Sequence, residues 1–183
     1  PDGDAFYQYQ LSLMTTTDYT PEEVHQIGLS EVARIKTEMR DILNDQGYAD
    51  TSREIGEIIQ ELNKEERFLY QNNDEGRKEI IEGYNNILNK INDGLDEAFD
   101  IRPKASMEVK RVPEFKEEGT ARTYYEQPLV DGSRGGIFYA NLRDVTETVK
   151  FGMKTLAYHE GIPGHHFQVA IKGELKNVPI FRK

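Results

Sequence analysis

The sequence predicts an α+β fold that is mainly α. Three observations carry this. Apolar side chains recur at helical spacing through the first hundred residues, three short strand-like segments follow Pro103, and helical spacing returns after Asp144. The 183 residues hold 23 Lys and Arg against 33 Asp and Glu, a formal charge of −10, with 37% hydrophobic and 31% charged residues. That length admits one domain, or part of a larger one, with a sizeable core. The chain opens at Pro1-Asp2-Gly3 without an initiator Met, which leads us to expect a processed or partial polypeptide. No apolar run approaches the ~20 residues that a membrane-spanning helix needs. An isoelectric point near 5.0 argues against nucleic acid as a partner, since phosphate binding calls for a basic face. With no Cys, disulfides, thiolate metal sites and cysteine nucleophiles are excluded within these residues.

In chain order, Phe6 to Met14 reads as a first helix. Thr20-Pro21-Glu22-Glu23 opens a second, with Thr at the N-cap, Pro in the first turn and Glu closing a capping box. Its stripe is Val24, Ile27, Val32, Ile35, Met39 and Ile42, expected in the core, and Gly47 stops it. A shorter helix starts near Thr51, with Glu54 at the capping-box position and Ile55, Ile58, Ile59 and Leu62 as its apolar face. Asp74 is placed to cap a fourth, whose face would run from Ile80 through Tyr84, Leu88 and Ile91 to Leu95 and Phe99.

The texture changes at Pro103. Met107 to Val112 alternates like a half-buried strand and stops at Pro113, Arg122 to Glu126 is a second strand, and Gly136 to Leu142 a third. Their short connections predict a small antiparallel sheet. Asp144, with Glu147 three residues on, is placed to cap a helix whose stripe is Val145, Val149, Gly152, Met153 and Leu156, leading into His159 and Glu160. The expected organisation is a helical region over 1–102, the three-stranded sheet over 103–142, and a motif helix with the start of another over 143–183. Residues 150–183 carry a formal +4, leaving −14 on the first 149. Such asymmetry is ordinary for a solvated acidic helical region, or makes an electropositive floor for carboxylate-bearing ligands.

Three of the four His fall within eight residues, His159-Glu160-Gly161-Ile162-Pro163-Gly164-His165-His166. Neutral imidazole is the commonest zinc ligand, and a Glu beside an activated water suits a general base. In the helical His-Glu-x-x-His pattern, the two His lie ~40° apart around the axis and ~6 Å along it. Here Pro163 stands where the second His would be. On an unbroken helix His165 would point ~120° away, and His166 would lie ~10.5 Å along the axis. Pro163 cannot donate to the carbonyl of His159 and disfavours helix at Ile162, so the helix should bulge or break and restart near Pro163. Either His165 or His166 can then return towards His159, and His165 needs fewer surplus residues absorbed. Without metal, the same residues would be a Pro-Gly helix break whose His line a polar crevice.

The string Tyr158 to Gln168 closely resembles the signature of the bacterial family called domain of unknown function 885. Asp131 to Leu142 is similar to the segment that this family carries before its His-Glu helix, and Leu13 to Glu38 is similar to its opening. The family is grouped with gluzincin-type metallopeptidases, which implies a mainly helical fold with a small sheet above the active-site helix. By the resemblance, His159 is a zinc ligand, His165 or His166 the second, and Glu160 the general base. Gluzincins take a third ligand, a Glu, from a later helix. Glu174 is the one acid after the motif and lies too close in sequence for that return, so the site is expected to be incomplete in a partial chain, with zinc belonging to the intact protein. Members are commonly secreted or periplasmic lipoproteins, which implies the same setting and a lipid anchor here.

The leading expectation is a zinc-dependent, peptidase-like hydrolase acting on peptides, with the remainder of its own polypeptide as a further partner. Gly136 to Leu142 would be the strand beside the cleft, binding an extended peptide at the sheet edge. Phe138, Tyr139 and Arg134 are the candidate substrate-binding residues, with Tyr124 and Tyr125 also placed to line the cleft. Arg134 is suited to a substrate carboxylate. The alternative is a catalytically inactive zincin-fold protein that binds peptides or serves as an envelope scaffold. A third reading is a helical interaction module in which the His cluster is coincidental.

Overall fold

The computed structural model describes residues 2–50, 52–129 and 131–179. The chain divides into two compact units, Pro1–Leu62 and Asn63–Lys183. The boundary between the units falls within the helical stretch expected over 1–102.

The first unit holds α1 (Gly3–Thr15), α2 (Pro21–Asp45) and α3 (Ile55–Leu62). The Thr20 capping box forms as read: its hydroxyl accepts from the Glu23 amide at 3.2 Å, and the Glu23 carboxylate accepts from the Thr20 amide at 2.8 Å. The stripe on α2 departs from expectation. The helix forms, but it buries Leu43 alone, and Ile27, Val32, Ile35 and Ile42 stand exposed. Helical spacing specifies which side chains share a face; it does not specify that the face is covered. α1 buries no residue. In α3 the stripe does go inside, with Ile55, Ile58 and Leu62 buried, whereas Thr51 lies outside the described residues.

The second unit is built on α4 (Asp74–Asp93), which packs against a sheet of β1 (Met107–Arg111), β2 (Thr123–Glu126) and β3 (Gly136–Ala140) and against α5 (Met153–Glu160). Asn73, one residue before the expected cap, accepts from the Gly76 amide. Ile80, Tyr84 and Leu88, four apart on one face of α4, meet Val109, Phe138, Ala140, Leu142, Met153 and Ala157 in a single core. The helix ends before Leu95 and Phe99: Leu95 is buried in a 3-10 turn, and Phe99 packs on Phe167 with ring centroids 4.6 Å apart. No helix among the described residues is long and apolar enough to cross a membrane.

The sheet order is β1-β3-β2 and its pairing is mixed, which corrects the antiparallel expectation. β2 and β3 form an antiparallel hairpin (Tyr125 opposite Phe138), while β1 and β3 run parallel (Val109 opposite Phe138). The chain leaves β1 at Pro113 and returns as β2, two strand positions away, leaving a gap that β3 fills. β3 takes that doubly flanked place because Gly-Ile-Phe-Tyr-Ala is the most continuously apolar of the three, as a strand covered on both faces should be. It is therefore not an edge, and the outer strand on the β2 side is β2 itself.

The helix expected from Asp144 is also broken. Val145–Glu147 and Lys150–Gly152 are 3-10 turns, with Thr148 and Val149 extended between them, and α5 begins only at Met153. The Asp144 carboxylate accepts from the amide and hydroxyl of Thr146, a local turn that competes with helix propagation. A turn over 161–164, with a cis peptide bond at Ile162-Pro163, then leads into α6 (His165–Glu174). The restart is thus two residues later than Pro163.

Candidate metal centre

The break delivers the last turn of α5 and the first residue of α6 to one place. Ligand atoms of His159, Glu160 and His165 lie within 4.8 Å of one another, the one group of three such residues among those described. The rings of His159 and His165 meet edge to face, their centroids 4.7 Å apart. Gly164 makes the turn possible: a methyl group there would overlap the carbonyl oxygens of Tyr158 and His159. His159 and His165 are exposed, whereas Glu160 is buried. A hydroxyl reaches that carboxylate from the sheet, Thr123 Oγ1 donating to Glu160 Oε1 at 3.0 Å.

His166 turns away. It is 2% exposed, and both ring nitrogens have partners, Ala105 O at 3.1 Å from Nε2 and Tyr125 Oη at 2.9 Å from Nδ1. A carbonyl only accepts, so Nε2 carries the proton, leaving Nδ1 to accept from the phenol. Burial holds the imidazole pKa below its ordinary value, against the opposing pull of the Ala105 carbonyl and Glu174. Burial likewise pushes the Tyr125 phenol up to about 12. Gly136 lies under this pair, where a side chain would collide with the Tyr125 hydroxyl and His166 Nδ1. Of the two histidines left open by spacing, His165 joins His159, and His166 braces β2 against residue 105.

Thr123, Tyr124, Tyr125, Glu160 and His165 line an open pocket of about 500 Å³. Of the residues expected around the cleft, Tyr124 and Tyr125 line this pocket, whereas Phe138, Tyr139 and Arg134 do not. Phe138 is fully buried and packs edge-on against Tyr84, with ring centroids 4.7 Å apart. Tyr139 stacks on Tyr124 at 4.9 Å. The Arg134 guanidinium meets Glu126 at 2.7 Å and donates to the carbonyls of Gln127 and Gly135, holding Arg134 beside the end of β2. Glu174 is engaged elsewhere, its Oε1 accepting from the amides of Lys104 and Ala105. Thr123 escaped the sequence reading. Its signal was the strand alternation that puts it on the same side of β2 as Tyr125.

Two imidazoles and a carboxylate are a donor set suited to zinc, and the exposed His edges leave room for further ligands. No curated protein matches the chain. A crystal structure of a candidate lipoprotein from Colwellia psychrerythraea is similar to it, at 39% identity and a TM-score of 0.85 over 95% of this chain. The match spans 29% of that longer chain. The family of bacterial proteins of unknown function DUF885 matches residues 1–183, the motif turn included, and the chain belongs to that family.

Proposed function

We propose that this chain forms the His-Glu portion of a zinc-dependent, peptidase-like hydrolase. The supporting observation is the convergence of His159, Glu160 and His165 within 4.8 Å across a turn that keeps the carboxylate buried and hydrogen-bonded. His159 and His165 would hold the metal, which when bound acts as a Lewis acid and lowers the pKa of a coordinated water to about 7. Glu160 takes the proton of the attacking water and returns it to the leaving amine. Thr123 keeps one carboxylate oxygen engaged, which leaves the other to take the proton. β2, as the outer strand, offers its free edge to an extended peptide, in the place first assigned to Gly136 to Leu142. The Colwellia relative supports an envelope setting, secreted or periplasmic with a lipid anchor, and the remaining ligand would come from the rest of a longer polypeptide.

The test is metal content and peptide hydrolysis in the intact protein with Glu160→Gln. The expected result is retained zinc and a loss of activity of about 10²–10⁴-fold. Unchanged activity removes the general-base role. Tight zinc binding by the wild type without turnover across a broad peptide library selects the inactive, peptide-binding scaffold instead.

A further inference from the structure

Beyond the His-Glu pocket lies a second hollow of about 800 Å³, bounded by residues 104–106, by residues 127–129 with Gly132, Arg134 and Gly135, and by the far half of α6. It shares Gln127 and Val169 with the pocket at the cluster, so the two are contiguous. Both walls lead from one to the other. β2 places Thr123 and Tyr125 at the cluster, and the chain continues to Gln127 and Leu129 in the second hollow. α6 places His165 at the cluster, Val169 at the junction and Lys172 beyond.

Three cationic side chains line this hollow, and their partners separate them. Arg134 is matched by Glu126 and by two carbonyls. Lys104 and Lys172 make no ion pair among the described residues, although the chain carries a formal −10. The one carboxylate in the wall, Glu174, already accepts from two backbone amides. Two exposed lysines without an ion-pair partner among the described residues thus line the hollow beside one engaged acid.

We propose that this hollow is a carboxylate-binding subsite of the substrate groove, with Lys104 and Lys172 as its cationic groups. The proposal rests on the hydrolase reading and adds the substrate class, peptides with an anionic group beyond the cleaved bond. Lys172 lies seven residues along α6 from His165, an axial distance of ~10.5 Å. An extended peptide covers that in about three residues. A chain lying parallel to β2 would bring its C-terminal carboxylate there, and an antiparallel one an Asp or Glu side chain. Both present the same group to the same lysines.

The experiment uses the intact, zinc-loaded protein and matched peptides: a free acid, its C-terminal amide, and the amide carrying one Asp or its Asn counterpart. An acidic form is expected to show a KM about tenfold lower than its neutral counterpart, as two partly exposed charge pairs would give. In K104Q/K172Q, and in high salt, that ratio should collapse towards one. Sensitivity to amidation assigns the C-terminus, and sensitivity to Asp over Asn assigns a side chain. Equal KM values for acid and neutral peptides, or a ratio unmoved in K104Q/K172Q, overturn the subsite. Calorimetric binding of the same peptides to E160Q separates the two claims. If no peptide is cleaved but acidic peptides still bind tighter in a lysine-dependent way, the hydrolase reading fails and the subsite stands.

Discussion

The Glu160 carboxylate has one oxygen tied to a hydroxyl on the outer strand, and that bond bears directly on the base role proposed for it. A carboxylate free to rotate presents its basic lone pairs over a range of directions; one held at Oε1 presents Oε2 in a fixed direction. Thr123→Val keeps the shape and removes the donor, so kcat should fall about tenfold with zinc content unchanged, the scale of one lost hydrogen bond to a charged group. Thr123→Ser should restore most of it. A Val variant with full kcat would show that the hydroxyl does not position the base. At this scale the sequence revealed the types of residue but not their partners. His159, Glu160 and the two later histidines were legible as a cluster. Which of His165 and His166 belongs to it was not, because four intervening residues, 161–164, set the direction of α6, and no periodicity covers a turn.

Between elements, the same turn shows how a broken helix can bring two histidines together. A helical His-x-x-x-His spacing is replaced by two helices whose ends meet, and the meeting depends on the close approach of Gly164 to the carbonyls of residues 158 and 159. Gly164→Ala should lower stability by about 2 kcal/mol, the scale of an overpacked interior site, and weaken zinc binding as His165 shifts. Thermal denaturation and zinc titration of the variant check this, and a variant with native zinc affinity would show that the turn has room to adjust. The sheet gives a second element-scale prediction. Arg111 forks onto the buried Glu117 carboxylate with contacts of 2.7 and 3.2 Å, fastening β1 to the turn that follows it. That hydrogen bond holds the Glu117 pKa below its ordinary value. A carboxylate lowered on folding contributes stability that is present above the unfolded value of about 4.3 and lost as pH falls through the folded value. Denaturant titrations between pH 6 and 3 should therefore show wild type losing more stability than Glu117→Gln, and parallel curves would remove the pair from the account. The capping box at Thr20 and the strand segments were readable because they are local. The insertion of β3 between β1 and β2 was not, because strand order depends on which segment best fills a doubly covered position.

Across the whole chain, apolar burial is distributed very unevenly, and this predicts where the protein opens first. The buried set of the second unit runs through α4, β3 and α5, with Ile80, Phe138, Val145 and Ala157 at 0% exposure. The helices α1 and α2 bury only Leu43 between them, with Phe6 at 62% and Met14 at 77% exposed. Opening a segment costs free energy in proportion to the contacts it breaks. Most helical stability comes from packing of an apolar face, and α1, at 13 residues, is of a length that is marginal in isolation. Amide hydrogen exchange should therefore give α1 and α2 protection at least about 100-fold lower than α4 and β3, a gap of ~2.7 kcal/mol between local and global opening. The capping box of α2 slows fraying at one end and leaves that order intact, since a cap contributes only about 1 kcal/mol. Exchange followed by peptide mass spectrometry on the intact protein resolves the two regions. Equal protection would mean that the apolar row from Ile27 to Ile42 is covered in solution, and that the sequence was right to read it as an interior face.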